Sequence, residues 1–354
     1  MKQHHRATAF EPAPTTLDHV ISPEWLSGML STRWPGTVVE QVTVIETLAT
    51  QATKVRLALV LNGAGPNVPT RICVKGVLTP TGALSTASVI ETKFYRDCAD
   101  WLPVHIPHCI YAALNEAGDN GVVVMKDLID GGAKFLSALV PFTPNEATES
   151  IEQLARLHVA GAAGSPLYEL PWIPCFIDQM TARPMIALDI LQDLLDGPRG
   201  LPLPTAVRSA ERLKNALEQL ATQVHALPKV TLHGDSHAGN IFRDAAGIGL
   251  VDWQILQKGN WAQDVAYHLA AVLSPEDRRA HERALLDHYR DRLVALGGPE
   301  IEAEHAWTRY RSAMIYGFYL WAMTRKVQPD ITNEFVRRLG IAVSDLDSFE
   351  AVGR

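Results

Sequence analysis

The sequence feature that most constrains this chain is the segment at residues 233–254, which carries two aspartates and an asparagine in a fixed order. Asp235 and Asn240 are separated by four residues, and Asp252 follows an apolar run further along. The order H-x-D-x-x-x-x-N, followed by another aspartate, is typical of a loop that transfers phosphoryl groups. The first carboxylate can take or orient the proton of an attacking hydroxyl. An amide oxygen and the second carboxylate can hold Mg²⁺, because hard cations prefer oxygen ligands.

Two other interpretations of this segment stay open when it is taken alone. Aspartate, asparagine and glycine are common in tight turns that carry no chemistry. His233, Asp235 and His237 could instead form the metal site of a hydrolase. The neighbouring pattern favours phosphoryl transfer, since residues 230–232 and 248–251 are predicted strands that flank the loop and a turn.

The segment resembles the motifs of small-molecule kinases in the aminoglycoside phosphotransferase, choline-kinase-like and ecdysteroid-kinase-like superfamily. There, H-G-D-x-x-x-x-N is followed by an apolar I-D-[FW]. This chain has the first motif at 233–240 and Val-Asp-Trp at 251–253. The resemblance implies that Asp235 is the catalytic base and that Asn240 and Asp252 bind magnesium.

Two further residues are expected to support the catalytic loop. His233 opens the first motif, and Asp264 lies in a G-x-x-x-x-D-[LV]-A-Y pattern of the superfamily that this chain matches at 259–267. Asp264 is expected to brace the loop from the start of a helix. His158, in an L-A-x-L-H pattern, is predicted to pack or cap rather than to bind a ligand.

A lysine and a glutamate upstream complete the expected nucleotide site. Lys75 lies inside the apolar predicted strand at 70–77, where a lysine is unfavourable unless its ammonium is paired or reaches solvent. An edge lysine that reaches water is the alternative for the strand alone. Glu91 begins an E-x-x-F-Y pattern at 91–95, which the superfamily shows on the helix after this strand. The resemblance implies that Lys75 binds nucleotide phosphates and pairs with Glu91.

The expected phosphate-covering loop departs from the usual kinase pattern. It joins predicted strands at 38–47 and 54–61 and contains no glycine, so the G-x-G-x-x-G form is absent. Small residues and hydroxyls can still approach phosphates through backbone amides. The residues expected to do so are Thr50, Gln51 and Thr53.

The apolar run at 121–125 predicts a buried strand that ends where a kinase hinge would begin. Adenine is expected to hydrogen-bond backbone groups there. The residues expected at this position are Met125, Lys126, Asp127 and Leu128. The superfamily usually has E-D-L where this chain has Lys-Asp-Leu, a change that backbone recognition tolerates.

Composition argues against several functional classes. The net charge of −7 argues against nucleic-acid binding, which usually needs a basic face. Residues 1–10 lack the apolar core of a signal peptide, and the apolar stretch at 313–323 is too short to span a bilayer. The cysteines are scattered and form no C-x-x-C pair, which favours free thiols in a reducing, cytoplasmic compartment. They are Cys73, Cys98, Cys109 and Cys175.

These features predict an α+β, protein-kinase-like fold with two lobes. Residues 1–128 are expected to form a β-rich N-lobe, with a nucleotide-binding sheet and one helix. Residues 129–354 are expected to form a mainly helical C-lobe with the catalytic loop, the magnesium site and the acceptor pocket. ATP and magnesium are expected to bind between the lobes. Helices are predicted at 26–30, 145–161, 185–195, 205–225, 275–296 and 300–324.

The predicted reaction is transfer of the γ-phosphoryl group of ATP to a hydroxyl of a small molecule. The first alternative is a kinase-fold nucleotide-binding protein without transfer activity, which the glycine-free loop motivates. The sequence argues against this alternative, because it keeps all five residues that the reaction is expected to need: Lys75, Glu91, Asp235, Asn240 and Asp252. A metal-dependent hydrolase is the less favoured alternative. The acceptor stays open among sugars, choline-like alcohols, sterols, macrolides and aminoglycosides, and the sequence does not determine the oligomeric state.

Overall fold

The computed structural model describes residues 12–49, 52–78, 85–182 and 185–353, which divide into two compact units. The first unit contains the described residues up to Leu102, Ile106–Lys134 and Asp252–Gln254. The second unit contains Pro103–His105, Phe135–Val251 and the chain from Ile255 onward. The predicted α+β class is confirmed, because a sheet dominates the first unit and helices dominate the second.

The first unit is built on an antiparallel five-stranded sheet with the order β1-β2-β3-β5-β4. Its strands are β1 Val38–Ala49, β2 Thr53–Asn62, β3 Arg71–Gly76, β4 Cys109–Leu114 and β5 Gly121–Lys126. Four of these strands were predicted and β4 was not. The sequence of β4, Cys-Ile-Tyr-Ala-Ala-Leu, lacks the alternation of apolar and polar residues that marks a half-buried strand.

Strand β2 separates an apolar face from a charged face. Val55, Leu57 and Leu59 alternate along it, and all three side chains are buried in the core of this unit. Because successive side chains of a strand point to opposite faces, Lys54 and Arg56 lie on the other side of the sheet. The charged face of the sheet is therefore fixed by the same alternation that forms the core.

Three helices accompany this sheet: α1 Leu17–Val20, α2 Pro23–Ser31 and α3 Thr86–Asp97. The helix predicted at 26–30 begins earlier, at Pro23, because the Ser22 hydroxyl accepts a hydrogen bond from the Trp25 amide and caps it. Ser85 caps α3 in the same way by accepting a hydrogen bond from the Ser88 amide. The buried face of α3 includes Glu91 and Phe94.

The second unit is mainly helical. Its α-helices are α4 Pro144–Ala160, α5 Phe176–Ala182, α6 Leu188–Asp196, α7 Ala210–Ala226, α8 Trp261–Val272, α9 Pro275–Ala295, α10 Ala303–Met323, α11 Pro329–Asp345 and α12 Ser348–Ala351. Every residue of α8 is buried, so this helix runs through the core of the unit. Across the four described ranges of the chain, each helix is too short or too polar to cross a membrane.

Short strands and two 3-10 helices complete the second unit. The strands are β6 Lys134–Phe135, of which only Phe135 belongs to this unit, β7 Val230–Leu232, β8 Ile241–Asp244, β9 Gly247–Leu250 and β10 Gln257–Gly259, and the 3-10 helices are Thr205–Val207 and Ala238–Asn240. β7 pairs with β10, and β8 and β9 form the predicted hairpin, which β6 extends to three strands. Gly247, with φ of 115°, closes the hairpin in a conformation that favours glycine.

Some helix boundaries differ from the predictions. The helix predicted at 205–225 is broken, because its first residues form a 3-10 turn and the Ser209 hydroxyl accepts the Arg212 amide to start α7. The helix predicted at 185–195 begins at Leu188. Helices α5 and α11 were not predicted. Helix α5 has only seven residues, whereas α11 begins at Pro329 and buries Phe335, Leu339 and Val343 at helical spacing, a local signal that the prediction missed.

Candidate active site

The predicted catalytic motif forms a loop between β7 and β8 in the second unit. We refer to residues 233–240 as the HGD loop. His233 follows β7 directly, and the 3-10 helix Ala238–Asn240 leads into β8. Asp235 therefore lies between two short ordered segments, which limits how far its carboxylate can move.

Glycine is required at position 234. Its φ is 83°, and an added Cβ would lie 2.3 Å from the Ile255 carbonyl oxygen and 2.5 Å from the side-chain Nε2 of Gln257. A side chain there would be strained and would also collide with neighbouring backbone. The H-G-D sequence thus allows the chain to turn sharply just before Asp235.

Asp264, on α8, accepts hydrogen bonds from the first two amides of the HGD loop. Its Oδ2 accepts from the His233 amide at 2.7 Å, and its Oδ1 accepts from the Gly234 amide at 2.8 Å. Nε2 of His158 lies 3.2 Å from Oδ2, and Nδ1 of His158 lies 2.7 Å from the Tyr289 hydroxyl. Because a carboxylate only accepts, Nε2 is the donor and Nδ1 accepts from the tyrosine. Asp264 is fully buried, and these donors compensate for its lost solvation.

The Asp235 carboxylate is held from two sides and stays about one-third exposed. Its Oδ2 accepts a hydrogen bond from Nδ2 of Asn240 at 3.1 Å, and its Oδ1 accepts from the Tyr267 hydroxyl at 2.9 Å. Nδ2 of Asn240 also donates to the Asp235 carbonyl oxygen at 2.9 Å. The side chain retains 32% of its accessible surface, so an external hydroxyl can reach it.

Aromatic residues of α8 and α10 also contact the HGD loop or the residues around it. Nε1 of Trp321 donates to the Tyr267 hydroxyl at 2.5 Å, and that hydroxyl donates to Asp235. The Tyr316 hydroxyl donates to the Gly234 carbonyl oxygen at 2.8 Å. Burial, with the nearby charge of Asp235, raises the pKa of Tyr267 well above its usual range, so its hydroxyl remains a donor at neutral pH. No sequence motif indicates these contacts, because α10 approaches the loop only through packing.

Both ring nitrogens of His233 form hydrogen bonds inside the second unit. Nδ1 accepts from the Asp235 amide at 3.2 Å, and Nε2 lies 3.0 Å from the Val251 carbonyl oxygen. Nδ1 of His237 accepts from the Gly239 amide at 3.0 Å. These contacts do not suit the hydrolase alternative, which needs nitrogen lone pairs for a metal. The described part of the chain contains no group of three or more His, Cys, Asp or Glu side chains placed to hold a metal ion.

The first unit brings together Lys75, Glu91 and Asp252. Nζ of Lys75 lies 2.7 Å from the Glu91 carboxylate and 3.1 Å from Oδ1 of Asp252. The side chains of Lys75 and Glu91 are each only 4% exposed. Burial by itself would lower the pKa of Lys75, but the two carboxylates outweigh it and raise that pKa above its ordinary value. Lys75 is therefore a buried, charged group, and the edge-lysine alternative is wrong.

Asp252 has an unusual backbone conformation, with φ of 68° in the left-handed region. Such a conformation is unfavourable for a residue other than glycine, although aspartate tolerates it better than most. The next residue, Trp253, is buried and stacks on Phe94 of α3, with ring centroids 4.0 Å apart. The stack anchors the chain directly after this strained residue, and the Asp252 carboxylate lies beside Lys75.

The predicted hinge residues lie at the end of β5. The Lys126 amide donates to the His108 carbonyl oxygen at 3.0 Å, and the Asp127 amide donates to the Arg71 carbonyl oxygen at 3.2 Å. The Asp127 carboxylate binds Arg56 at 2.9 Å. The side chain of Asp127 thus stabilises this unit.

Two further predicted nucleotide contacts also lie on the sheet. Met125 pairs with Cys73 on β3 and with Cys109 on β4. Thr53 begins β2 and pairs with Gly76. The other predicted loop residues, Thr50 and Gln51, lie outside the described residues.

A comparison with family models identifies the relatives of this chain. The model of the phosphotransferase enzyme family matches residues 103–309, more than half of the 354 residues. The chain belongs to the phosphotransferase enzyme family. The predicted superfamily and the prediction of a small-molecule kinase are therefore confirmed. No curated protein matches the chain.

Solved structures show the same fold at low sequence identity. Choline kinase from Cryptosporidium parvum Iowa II is 11% identical, with a TM-score of 0.52 over 93% of this chain and 95% of that chain. The microcompartment-associated aminopropanol kinase is 10% identical, with a TM-score of 0.53 over 88% and 93%. LicA in complex with AMP is 14% identical, with a TM-score of 0.51 over 92% and 98%. The likeness confirms the protein-kinase-like fold of small-molecule kinases.

We predict that buried His268 makes stability fall in mild acid. Its Nδ1 lies 2.6 Å from the Ser236 carbonyl oxygen and its Nε2 lies 2.7 Å from the Ser150 hydroxyl, and burial lowers its pKa to about 4. As the pH falls, His268 in the unfolded chain binds a proton near pH 6.5, whereas in the folded protein it does so only near pH 4. The contribution of neutral His268 to the free energy of unfolding is therefore complete above about pH 6.5 and is lost as the pH falls toward 4.

The test compares denaturant unfolding at pH 7 and pH 5 in wild-type protein and His268→Asn. The loss of unfolding free energy between these pH values should be smaller in the variant by about 2 kcal/mol. His19→Asn, which removes an exposed histidine, is the matched control. Equal losses in His268→Asn and the wild type would contradict the prediction.

We predict that Tyr267→Phe slows phosphoryl transfer about tenfold or more, because it removes a hydrogen bond to Asp235. The nucleotide KM should change little, since the hydroxyl donates to Asp235 of the second unit, whereas Lys75, Glu91 and Asp252 belong to the first unit. Tyr310→Phe is the control. It removes a different buried tyrosine hydroxyl, which lies on α10 and donates to Glu282. A wild-type kcat in Tyr267→Phe would show that Asp235 needs no such contact.

Proposed function

We propose that this chain transfers the γ-phosphoryl group of ATP to a hydroxyl of a small molecule, in a reaction that requires Mg²⁺. The observation that carries the proposal is the buried ammonium of Lys75, in contact with Glu91 and Asp252. Buried ion pairs seldom stabilise a fold more than apolar residues of similar size would. Their presence supports a role in binding a charged ligand, and a β3 lysine paired with a helix glutamate is the kinase arrangement for nucleotide phosphates.

In this proposal Asp235 orients the acceptor hydroxyl and takes its proton. Its carboxylate accepts hydrogen bonds from two uncharged donors, Asn240 and Tyr267, and remains partly exposed. General base catalysis of this kind contributes about 10²- to 10⁴-fold. His233 and Asp264 act by holding the loop, and neither needs to touch the acceptor.

We propose Asn240 and Asp252 as the magnesium ligands, and the chemistry of the two side chains fits that role. Nδ2 of Asn240 donates to two oxygens of Asp235, both of which can only accept. The orientation of the amide is thereby fixed, and Oδ1 is presented as a hard oxygen ligand. Bound Mg²⁺ would neutralise charge on the nucleotide phosphates.

For adenine we propose recognition at the end of β5, as the sequence predicted, with one refinement. The amides of Lys126 and Asp127 already donate within the first unit, so we assign the hinge donor to Leu128. Met125 and Thr53 are proposed to line the nucleotide site together with Thr50 and Gln51. The contribution of Lys126 and Asp127 is then through backbone carbonyl oxygens and packing.

The acceptor is proposed to be a small hydroxylated molecule. Solved relatives of the same fold include a choline kinase and an aminopropanol kinase, so amino alcohols belong in the first acceptor panel. The glycine-free connection at 47–53 motivates one competing proposal, a nucleotide-binding protein without transfer activity. ADP release with and without acceptors separates the two proposals.

The first experiment is a thermal-shift titration with ATP plus magnesium beside ATP alone. A ligand that binds the native state must raise its melting temperature. A magnesium-dependent rise supports the proposal and leads to the acceptor panel. The absence of any shift at millimolar nucleotide would count against ATP as the donor.

We predict that Asp235→Asn loses turnover by about 10² to 10⁴-fold while its affinity for ATP stays near the wild-type value, because the substitution removes the base and preserves the shape. Turnover is measured as ADP release and affinity by calorimetry. Asp193→Asn, at an exposed aspartate of α6, is the control for the lost charge. Wild-type turnover in Asp235→Asn would remove Asp235 from its proposed role.

We predict that Asp252→Asn loses the magnesium-dependent part of its ATP affinity. Asparagine tolerates the left-handed conformation at this position, so the variant should fold. ATP without magnesium should bind as well as before or more tightly, since a negative charge near Lys75 is gone. Calorimetric titrations with and without magnesium measure both affinities. An unchanged magnesium dependence would show that Asp252 is not a metal ligand.

A further inference from the structure

A second lysine of the first unit contacts the same carboxylate as Lys75. Lys54 on β2 pairs directly with Lys75 on β3, so both side chains lie on the same face of the sheet. Nζ of Lys54 lies 3.6 Å from Oδ2 of Asp252, while Nζ of Lys75 lies 3.1 Å from Oδ1. Each oxygen of the Asp252 carboxylate is thus next to one ammonium group.

The two lysines differ in burial and in the number of carboxylates that each contacts. The side chain of Lys75 is 4% exposed and also contacts Glu91, whereas the side chain of Lys54 is 36% exposed. The ion pair of Lys54 and Asp252 is partly exposed and its charged atoms are 3.6 Å apart, so it contributes little to stability because solvent screens it. The contact with Asp252 therefore does not by itself account for a lysine at this position. Arg56, the next residue on that face, is instead held by Glu46 at 3.0 Å and by Asp127 at 2.9 Å.

The charge of this group also depends on Lys54. Glu91 and Asp252 carry two negative charges and Lys75 one positive charge, which would leave a net negative site. An anionic ligand would be repelled by such a site. With Lys54 the four side chains balance. A negatively charged ligand can then approach the exposed end of Lys54 without net repulsion.

The sequence just before Lys54 gives a reason for an additional cation. Residues 47–53 contain no glycine. Glycine-rich loops bind phosphates because their backbone amides can approach the oxygens closely. Lys54 directly follows the glycine-free connection and offers a charged donor on a long, mobile side chain.

We propose that Lys54 is a second phosphate-binding cation, which releases Asp252 and contacts the nucleotide phosphates when the nucleotide binds. This inference rests on the proposed function, because it requires a nucleotide at Lys75 and Asp252. The alternative is that Lys54 only holds Asp252 in place. The two roles differ in one respect: loss of a phosphate contact weakens ATP binding with and without magnesium, whereas loss of a contact that only holds Asp252, a proposed magnesium ligand, weakens it only when magnesium is present.

The experiment measures the affinities of adenosine, ADP and ATP by calorimetry, both with magnesium and without it. Lys54→Met should weaken ATP and ADP about tenfold or more, the size expected for one hydrogen bond to a charged group, and should leave adenosine within about twofold of wild type. Lys54→Arg, which keeps the charge, should retain most of the ATP affinity. Lys229→Met removes the charge of a lysine in the second unit and should change none of these affinities.

Two results would overturn the inference alone. The first is an ATP affinity in Lys54→Met equal to that of the wild type. The second is a loss of ATP affinity in Lys54→Met that appears only with magnesium, which would identify Lys54 as a positioning residue for Asp252. Wild-type protein that binds neither ADP nor ATP would overturn the proposed function and this inference together.

Discussion

The HGD loop depends on one buried carboxylate. Asp264 is inaccessible to solvent, and its two oxygens accept the amides of His233 and Gly234. A carboxylate so deeply buried is very unfavourable without donors, and two adjacent amides at a sharp turn need acceptors. The loop and α8 therefore stabilise each other. Because α8 is buried along its whole length, the position of the loop is set by the core of the second unit.

Helix α10 also constrains the loop, through Gly234 and through the residues around Asp235. Gly317 allows α10 to approach α8 closely, since a Cβ there would lie 2.5 Å from the Tyr267 ring. Tyr316 then reaches the Gly234 carbonyl oxygen, and Trp321 reaches the Tyr267 hydroxyl. Each buried aromatic side chain thus satisfies its polar atom on the loop or on a residue that contacts it. The packing of two helices fixes the donors around Asp235.

The sequence predicted those parts of the candidate site that lie within short motifs. Asp235, Asn240 and Asp252 were located by spacing, and Lys75 by its unexpected place in an apolar strand. The contacts of Tyr267 and Lys54 could not be predicted in this way. Tyr267 meets Trp321 through the rotation of two helices, and Lys54 meets Asp252 through the register of β2 on β3. Such contacts join residues far apart in sequence, so no local pattern records them.

Three aspartates of the candidate site lie in different environments, and each environment suits a different proposed role. Asp264 is fully buried and accepts two backbone amides, which suits a group that holds the loop in place. Asp252, 18% exposed and beside two ammonium groups, has the charge and the partial access that suit a ligand of a hard cation. Asp235, 32% exposed, receives hydrogen bonds from the uncharged groups of Asn240 and Tyr267. These donors orient the carboxylate and leave it accessible, which fits the role of proton acceptor that we propose for it.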